Sequence, residues 1–331
     1  MMPGALACHL VSTLSLCPFL AAGEPAPDNP VLTKLPFAFD EGMENTPVIY
    51  QGRPMLVRNW RSIKPEEQDQ AYLFIDDMVT GQQVAKFGTG FSFVSGFVNG
   101  DELNVFATEN TNAEWTKDIY RFWSTDLTTW SQERVITRQG DEHLFNSSVC
   151  RDDQGFIMAY ESSKPVQWSF RFARSTDLSK WEPVEGVQFS DLAEQTACAN
   201  PTIRYFAPYY YVVYGGWCWK GLGTRYEYLL PETRYTTFVA RSTDLANWEI
   251  SPTRHAMLDA VPGEGINNTD ADLFEFEGRT YIYYATGDQA TWGTIRVAMF
   301  DGPLEAMLRG YFPEGVPMVR FDATKGAYVY P

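Results

Sequence analysis

The chemistry open to this chain lies in a few carboxyl groups. The densest polar run is Asn267-Asn268-Thr269-Asp270-Ala271-Asp272, placed just before an apolar, strand-like segment. Residues two apart on a strand project to one face, so Asp270 and Asp272 are read together as a base and its helper. The competing reading has one capping a turn and the other pairing with an arginine. Glu44 stands in Glu44-Asn45-Thr46-Pro47, where proline stiffens the entry to a strand. It is read as a base or acid, against an exposed loop carboxylate. Glu161 ends the apolar run Met158-Ala159-Tyr160-Glu161. A carboxyl set against aromatic rings has a raised pKa, which suits a general acid. The bland alternative is a partner such as Arg171 or Arg174. Carboxyls in unlike surroundings are the usual equipment of acid–base catalysis.

Other side chains form a second rank. His143 precedes a strand and is either an acid or an ordinary surface histidine. His255 lies in a polar loop and is set aside. Arg58 and Arg204 fall on strands, where a lone cation is costly to bury. They either hold an anionic ligand group or neutralise Glu44 and Asp270. Asn146 and Asn200 open two further strands and are read as ligand-binding. Trp217, Trp219 and Trp292 are candidates to stack on a flat ligand face, while Trp123, Trp130, Trp181 and Trp248 are read as packing. No zinc motif, phosphate loop, nucleophile elbow or dinucleotide fingerprint occurs.

The elements that must position these groups are betrayed by a repeat. Ser124-Thr125-Asp126-Leu127-Thr128-Thr129-Trp130 recurs as Ser175-Thr176-Asp177-Leu178-Ser179-Lys180-Trp181 and as Ser242-Thr243-Asp244-Leu245-Ala246-Asn247-Trp248. Each copy sits between strand-like runs. Serine and aspartate cap backbone donors in turns, so the motif is a hairpin between third and fourth strands and its aspartate is structural. Strand repeats of this spacing mark propellers. Glycine-containing turns at Gly52, Gly81, Gly100, Gly155 and Gly278 supply the remaining hairpin signals. The expected fold is an all-β, five-bladed β-propeller. Its blades open at Glu44, Phe91, Asn146, Asn200 and Asp270, which gives Glu44 the same place in its blade as Asp270. A short helix is expected near Pro303–Leu308 and a long insertion over 218–234.

The predicted organisation is a signal segment over 1–23, an N-terminal arm over 24–43, the propeller over 44–312 and a tail over 313–331. Leu6 to Ala22 is apolar and ends in small residues, which reads as a secretory signal cleaved near Ala22. The expected location is therefore secreted or periplasmic. The competing reading is a disordered leader. The three cysteines beyond it, Cys150, Cys198 and Cys218, make no disulfide framework and are read as buried thiols. The net charge of −16 argues against nucleic acid or an anionic membrane as a partner.

The opening strands that end in polar residues, together with the Ser-x-Asp-Leu-x-x-Trp hairpin, resemble the five-bladed propeller glycoside hydrolases. These are the family 43 arabinofuranosidases and xylosidases, the family 32 invertase group and the family 117 anhydrogalactosidases. The resemblance covers about residues 40 to 312. It implies a carbohydrate substrate and catalytic carboxylates near the starts of inner strands, flanking a scissile glycosidic bond. It also gives His143 a precedent, because family 117 enzymes are thought to use a histidine acid. The carboxylate pattern of family 43 is not matched residue by residue: Glu44 replaces an aspartate, and Ser92, Asn146 and Asn200 stand where blades two, three and four begin. The implied function is removal of a terminal sugar from a plant or algal glycan. The alternatives are a carbohydrate-binding propeller without turnover and a lyase using His143 with Arg58. No cofactor is required, although some related propellers hold a central calcium.

Overall fold

A computed structural model describes residues 28–112, 116–164, 168–190, 198–218, 234–253, 256–258, 260–288, 293–318, 320–322 and 327–329. The expected signal segment over 1–23, Trp219, His255 and Trp292 lie outside them, as does nearly all of the insertion expected over 218–234.

The chain is all-β. After strand β1 (Thr33–Glu41) come β2 (Asn45–Tyr50), β3 (Arg53–Trp60), β4 (Tyr72–Asp77) and β5 (Gln82–Phe87). The next four are β6 (Phe91–Asn99), β7 (Glu102–Glu109), β8 (Ile119–Ser124) and β9 (Ser131–Ile136). Then follow β10 (Leu144–Asp152), β11 (Gly155–Ser162), β12 (Ser169–Ser175) and the short β13 (Glu182–Pro183). Each group is an antiparallel four-stranded sheet in sequence order. The next strands are β14 (Ala199–Phe206), β15 (Tyr209–Cys218), β16 (Arg234–Ser242), β17 (Asn247–Ile250), β18 (Asn267–Phe276), β19 (Arg279–Gly287) and β20 (Thr294–Phe300). Helix α1 (Leu304–Gly310) and the hairpin β21 (Arg320–Asp322) and β22 (Ala327–Val329) complete the chain. A parallel bridge, Tyr235 with Asn267, joins the meander β14 to β17 to the meander β18 to β20. Residues 33–41, read as part of an arm, form a strand that pairs with β20 and gives that meander its fourth strand. The hairpin β21–β22 adds to β17. No described helix is long and apolar enough to cross a membrane.

The hairpin motif folds by local hydrogen bonds. Ser124 Oγ accepts the Leu127 N–H at 2.9 Å, and Asp126 Oδ1 accepts those of Thr128 and Thr129 at 2.8 and 2.7 Å. These backbone donors hold the Asp126 carboxyl well below the usual carboxylate range. Leu127 sits in the left-handed region at φ 62°, and its carbonyl accepts the Trp130 indole N–H at 3.1 Å. The copies at Asp177 and Asp244 repeat the arrangement. The tryptophan thus seals the sheet edge, and Trp248 is fully buried.

Neighbouring sheets meet face to face through apolar layers. Val57 and Leu73 pack with Val105 and Phe122, Phe106 with Val149 and Met158, and Phe172 with Val212 and Trp248. Val213 packs with Leu273, Tyr284 and Leu308 of α1, and Leu56 packs with Phe274, Ile295 and Val297. That last layer brings the final meander against the first sheet. The opening strands β2, β6, β10, β14 and β18 accordingly touch in a closed cycle. Cys150 and Cys198 are both buried, and burial pushes the Cys150 thiol up to about 12.

Candidate active site

The opening strands are not regular. Register shifts fall between Ser92 and Ser95 in β6, Leu144 and Ser147 in β10, Ala199 and Thr202 in β14, and Thr269 and Asp272 in β18. Phe93, Asn200 and Asp270, each one residue into its bulge, have positive φ of 57°, 57° and 51°. Such backbone is disfavoured for L-residues other than glycine and tends to concentrate at functional sites. The bulges re-aim one residue of each strand. Counted back from their hairpin turns, Phe93, Asn146, Asn200 and Asp270 therefore occupy the same place in their sheets. Glu44 holds the matching place just before β2.

These residues line one cavity of about 300 Å³. Glu44, Glu161 and Asp270 bring three carboxyls to it from three different sheets, all buried at 4, 1 and 6% exposure. Glu44 forms an ion pair with Arg61 at 2.9 Å and accepts the Asn59 amide at 3.2 Å. Asn59 Oδ1 in turn accepts the Val94 N–H across the sheet boundary at 3.2 Å, which satisfies a donor freed by the bulge. Glu161 accepts Asn146 Nδ2 and the Asn200 N–H, each at 3.0 Å.

The electrostatics follow from burial. Desolvation pushes Glu161 up to about 7, and the Glu44 charge adds to it; the Asn200 and Asn146 hydrogen bonds and Arg61 oppose the rise. Asp270 is raised well above the usual carboxylate range by burial and by Glu44, against the Thr269 hydroxyl and Arg61. The Tyr235 phenol is driven up by burial and by both Glu161 and Asp270, so it is a neutral hydrogen-bonding group here. The aromatic walls are Phe93, Phe145, Trp168, Trp217 and Tyr235. Trp217 stacks on Tyr235 at 4.7 Å, and Trp168 lies 5.0 Å from Phe145.

Several sequence expectations are corrected. Asp272 does not share a face with Asp270, because the bulge between Thr269 and Asp272 breaks the alternation of β18. Its carboxylate pairs with Arg204 and accepts the Leu273 N–H at 2.6 Å. Arg204 also donates to the Ile203 and Leu273 carbonyls and is not part of the cavity wall. Arg58 pairs with Asp76 at 3.0 Å and packs on Phe74, and it is not part of the cavity wall. His143 turns its ring to Thr116, bonding Oγ1 and the carbonyl at 3.2 Å each, and is likewise not part of the wall. Arg58 and His143 thus do not form the base-and-cation pair of a lyase. Asn146, Asn200 and Trp217 do line the cavity. Arg61, Phe93, Phe145, Trp168 and Tyr235 were missed. Phe93 carried a usable signal, since superposing the opening strands of the repeat puts it level with Glu44 and Asp270.

Below the cavity, a narrow axial channel is lined by Thr46, Ser95, Ser147, Thr202 and Asp272. Asn45 Oδ1 is buried there and finds no donor among the described residues. Calcium takes six to eight oxygen ligands with several carboxylates. Here the donors are mostly hydroxyls, Asp272 is committed to Arg204, and no described group of three or more His, Cys, Asp or Glu could hold a metal. The set does not fit a calcium ion and suits a small neutral donor such as water.

No protein-family model matches the chain, and no curated protein matches it in sequence. Solved structures do match in fold. The catalytic domain of the Coprinopsis cinerea GH62 α-L-arabinofuranosidase has a TM-score of 0.58 at 9% identity, over 83% of this chain and 99% of that one. An exo-1,5-α-L-arabinanase from a bovine ruminal metagenomic library has a TM-score of 0.53 at 13% identity, over 89% and 99%. A β-1,2-mannobiose phosphorylase from Listeria innocua has a TM-score of 0.53 at 10% identity, over 85% and 93%. The chain has the fold of the propeller glycoside hydrolases and their relatives.

Proposed function

We propose that this chain is a five-bladed β-propeller glycoside hydrolase that removes a terminal, neutral sugar from a plant or algal glycan. The blade count is supported by the closed cycle of opening strands and the five apolar layers between sheets. The observation that carries the reading is the convergence of Glu44, Glu161 and Asp270, from three sheets, on one aromatic-walled cavity.

Glycosidic cleavage needs a proton on the leaving oxygen while a second carboxyl, or water activated by it, meets the anomeric carbon. Glu161, raised to about 7 by burial, keeps its proton on a large share of molecules at neutral pH and serves as the general acid. Glu44, oriented by Arg61 and Asn59, serves as base or nucleophile on the other side. Asp270 keeps a proton beside Glu44 and orients it. Trp217 and Trp168 offer ring faces to the sugar. The neutral substrate follows from charge: Arg61, the one cation among the described residues of the cavity wall, already pairs with Glu44, and a uronate or sulfated sugar would meet three carboxyls. Among the described residues the cavity wall holds no second cation for a phosphate, which disfavours phosphorolysis, the activity named for the Listeria protein.

The test is sugar release by the purified chain from a panel of plant and algal glycans and aryl glycosides, run beside Glu161→Gln and Glu44→Gln. Release by the parent, with a loss of about a hundred- to ten-thousandfold in either variant, is expected from removal of an acid or base. Glycan binding with no release, unchanged in both variants, would replace this reading with that of a non-catalytic carbohydrate-binding propeller.

A further inference from the structure

Among the described residues, both hydrogen bonds of Glu161 fall on one of its oxygens. Asn146 Nδ2 and the Asn200 backbone N–H each reach Oε2 at 3.0 Å. Asn146 is held in turn, because its Nδ2 also reaches Asn200 Oδ1 at 2.5 Å. The Asn200 donor exists because β14 bulges there. At φ 57° the residue is left-handed, a conformation asparagine tolerates better than most. Pro201 follows and has no N–H to compete for the same acceptor. An oxygen that accepts two N–H donors is a poor place for a proton, since a protonated carboxyl presents its O–H as a donor. Oε1 carries neither bond.

We infer that Asn146 and Asn200 are positioning residues that confine the acid proton of Glu161 to Oε1, the oxygen left to the cavity. The inference rests on the reading of Glu161 as the general acid. It reassigns both asparagines from sugar contacts to the acid's orientation. The other charged or titratable groups facing Glu161 are Glu44, Arg61, Asp270 and Tyr235, and none of them supplies a hydrogen bond to Oε2.

Two variants test it. Asn146→Ala removes one donor from Oε2. Asn200→Gly keeps the left-handed backbone and the N–H but removes the Oδ1 that orients Asn146. Glu161 is followed by carboxyl carbon-13 titration of the glutamate-labelled full chain, assigned by difference from Glu161→Gln, and the basic limb of kcat/KM is recorded alongside. The lost donor stabilised the carboxylate, so Glu161 in Asn146→Ala should titrate about one unit higher, the order of one hydrogen bond to a charged group. The basic limb should move with it and kcat should fall about tenfold with KM little changed. Asn200→Gly should shift the same way by less, and it keeps the test alive if Asn146→Ala folds poorly. A Glu161 titration unmoved in a folded variant overturns the inference, whatever happens to activity. A titration that moves in a chain with no hydrolase activity supports the proton's placement and removes the hydrolase reading instead.

Discussion

Arg61 Nη2 lies 2.9 Å from Oε1 of Glu44, and the same guanidinium lies 4.4 Å from the centre of the Phe93 ring. One cation thereby ties the first sheet's carboxylate to the bulged opening strand of the second. The pair is nearly dry, with side-chain exposures of 13% and 3%. Removing one member of a buried pair leaves an uncompensated charge and is strongly destabilising, by about 3–5 kcal/mol. Arg61→Met should therefore lower unfolding stability by about 3 kcal/mol at pH 7. Adding Glu44→Gln should restore part of it, since the double variant buries no lone charge. Urea unfolding of the single and double variants measures this. Additive losses would show that the two side chains are not coupled.

Activity should fall on the alkaline side as Glu161 loses its proton. With the acid raised to about 7 by burial, the basic limb of kcat/KM should bend near neutral pH. An aryl glycoside whose leaving group needs no proton should lose this limb. A profile flat from pH 6 to 9 on a substrate with a poor leaving group would take the acid role from Glu161.

The same carboxyl should weaken the fold as pH rises. Its folded pKa of about 7 lies above the ordinary value of 4.5. Between these values the folded state binds the extra proton, so stability declines as pH rises, by about 3 kcal/mol in all for this group. The penalty is absent below the unfolded value and complete above the folded one. Glu161→Gln keeps an oxygen to accept from Asn146 and Asn200 and carries no charge. It should be more stable than the parent at pH 8 and lose that advantage near pH 4.5, as read by thermal melts across pH. A constant difference across that range would place Glu161 in a more hydrated setting.

The parts of this molecule that the sequence made legible are those built by local interactions. Serine, aspartate and tryptophan close the hairpin within seven residues, so the motif is readable as spelled. Glu44 and Asp270 were found because their place in the repeat is the same, and Glu161 because it ends an apolar strand. What failed depended on partners far along the chain. Period-two alternation put Asp272 beside Asp270, and no local signal announced the bulge between them. Arg58 and Arg204 are expected to hold an anionic sugar or to neutralise Glu44 and Asp270, but pair with Asp76 and Asp272, which meet them only across strands or sheets. Arg61 passed unnoticed because it lies just beyond the end of β3 and acquires its role only when Glu44 folds against it.

The aromatic wall should act on substrate binding more than on the chemical step. Trp217 stacks on Tyr235 at 4.7 Å and forms part of the cavity lining. Trp217→Ala should raise KM about tenfold, roughly the worth of one aromatic contact, with kcat changed by less than about threefold. A fall in kcat at constant KM would mean that the indole acts on the transition state.

The hairpin tryptophans should matter to stability and not to chemistry. Trp248 is fully buried between Phe172 and Phe189, with ring centres at 5.5 and 5.1 Å, and its indole N–H donates to the Leu245 carbonyl at 2.7 Å. Trp248→Ala empties that layer and should cost about 3–5 kcal/mol. Asp244→Ala removes only the carboxylate that accepts the Ala246 and Asn247 N–H groups, and by analogy with a helix cap should cost about 1 kcal/mol. Denaturant unfolding separates the two. The folded fraction of each variant should keep the parent's kcat, because neither side chain touches the cavity wall. A lowered kcat in fully folded Asp244→Ala would show that the repeat's aspartate does more than close a turn.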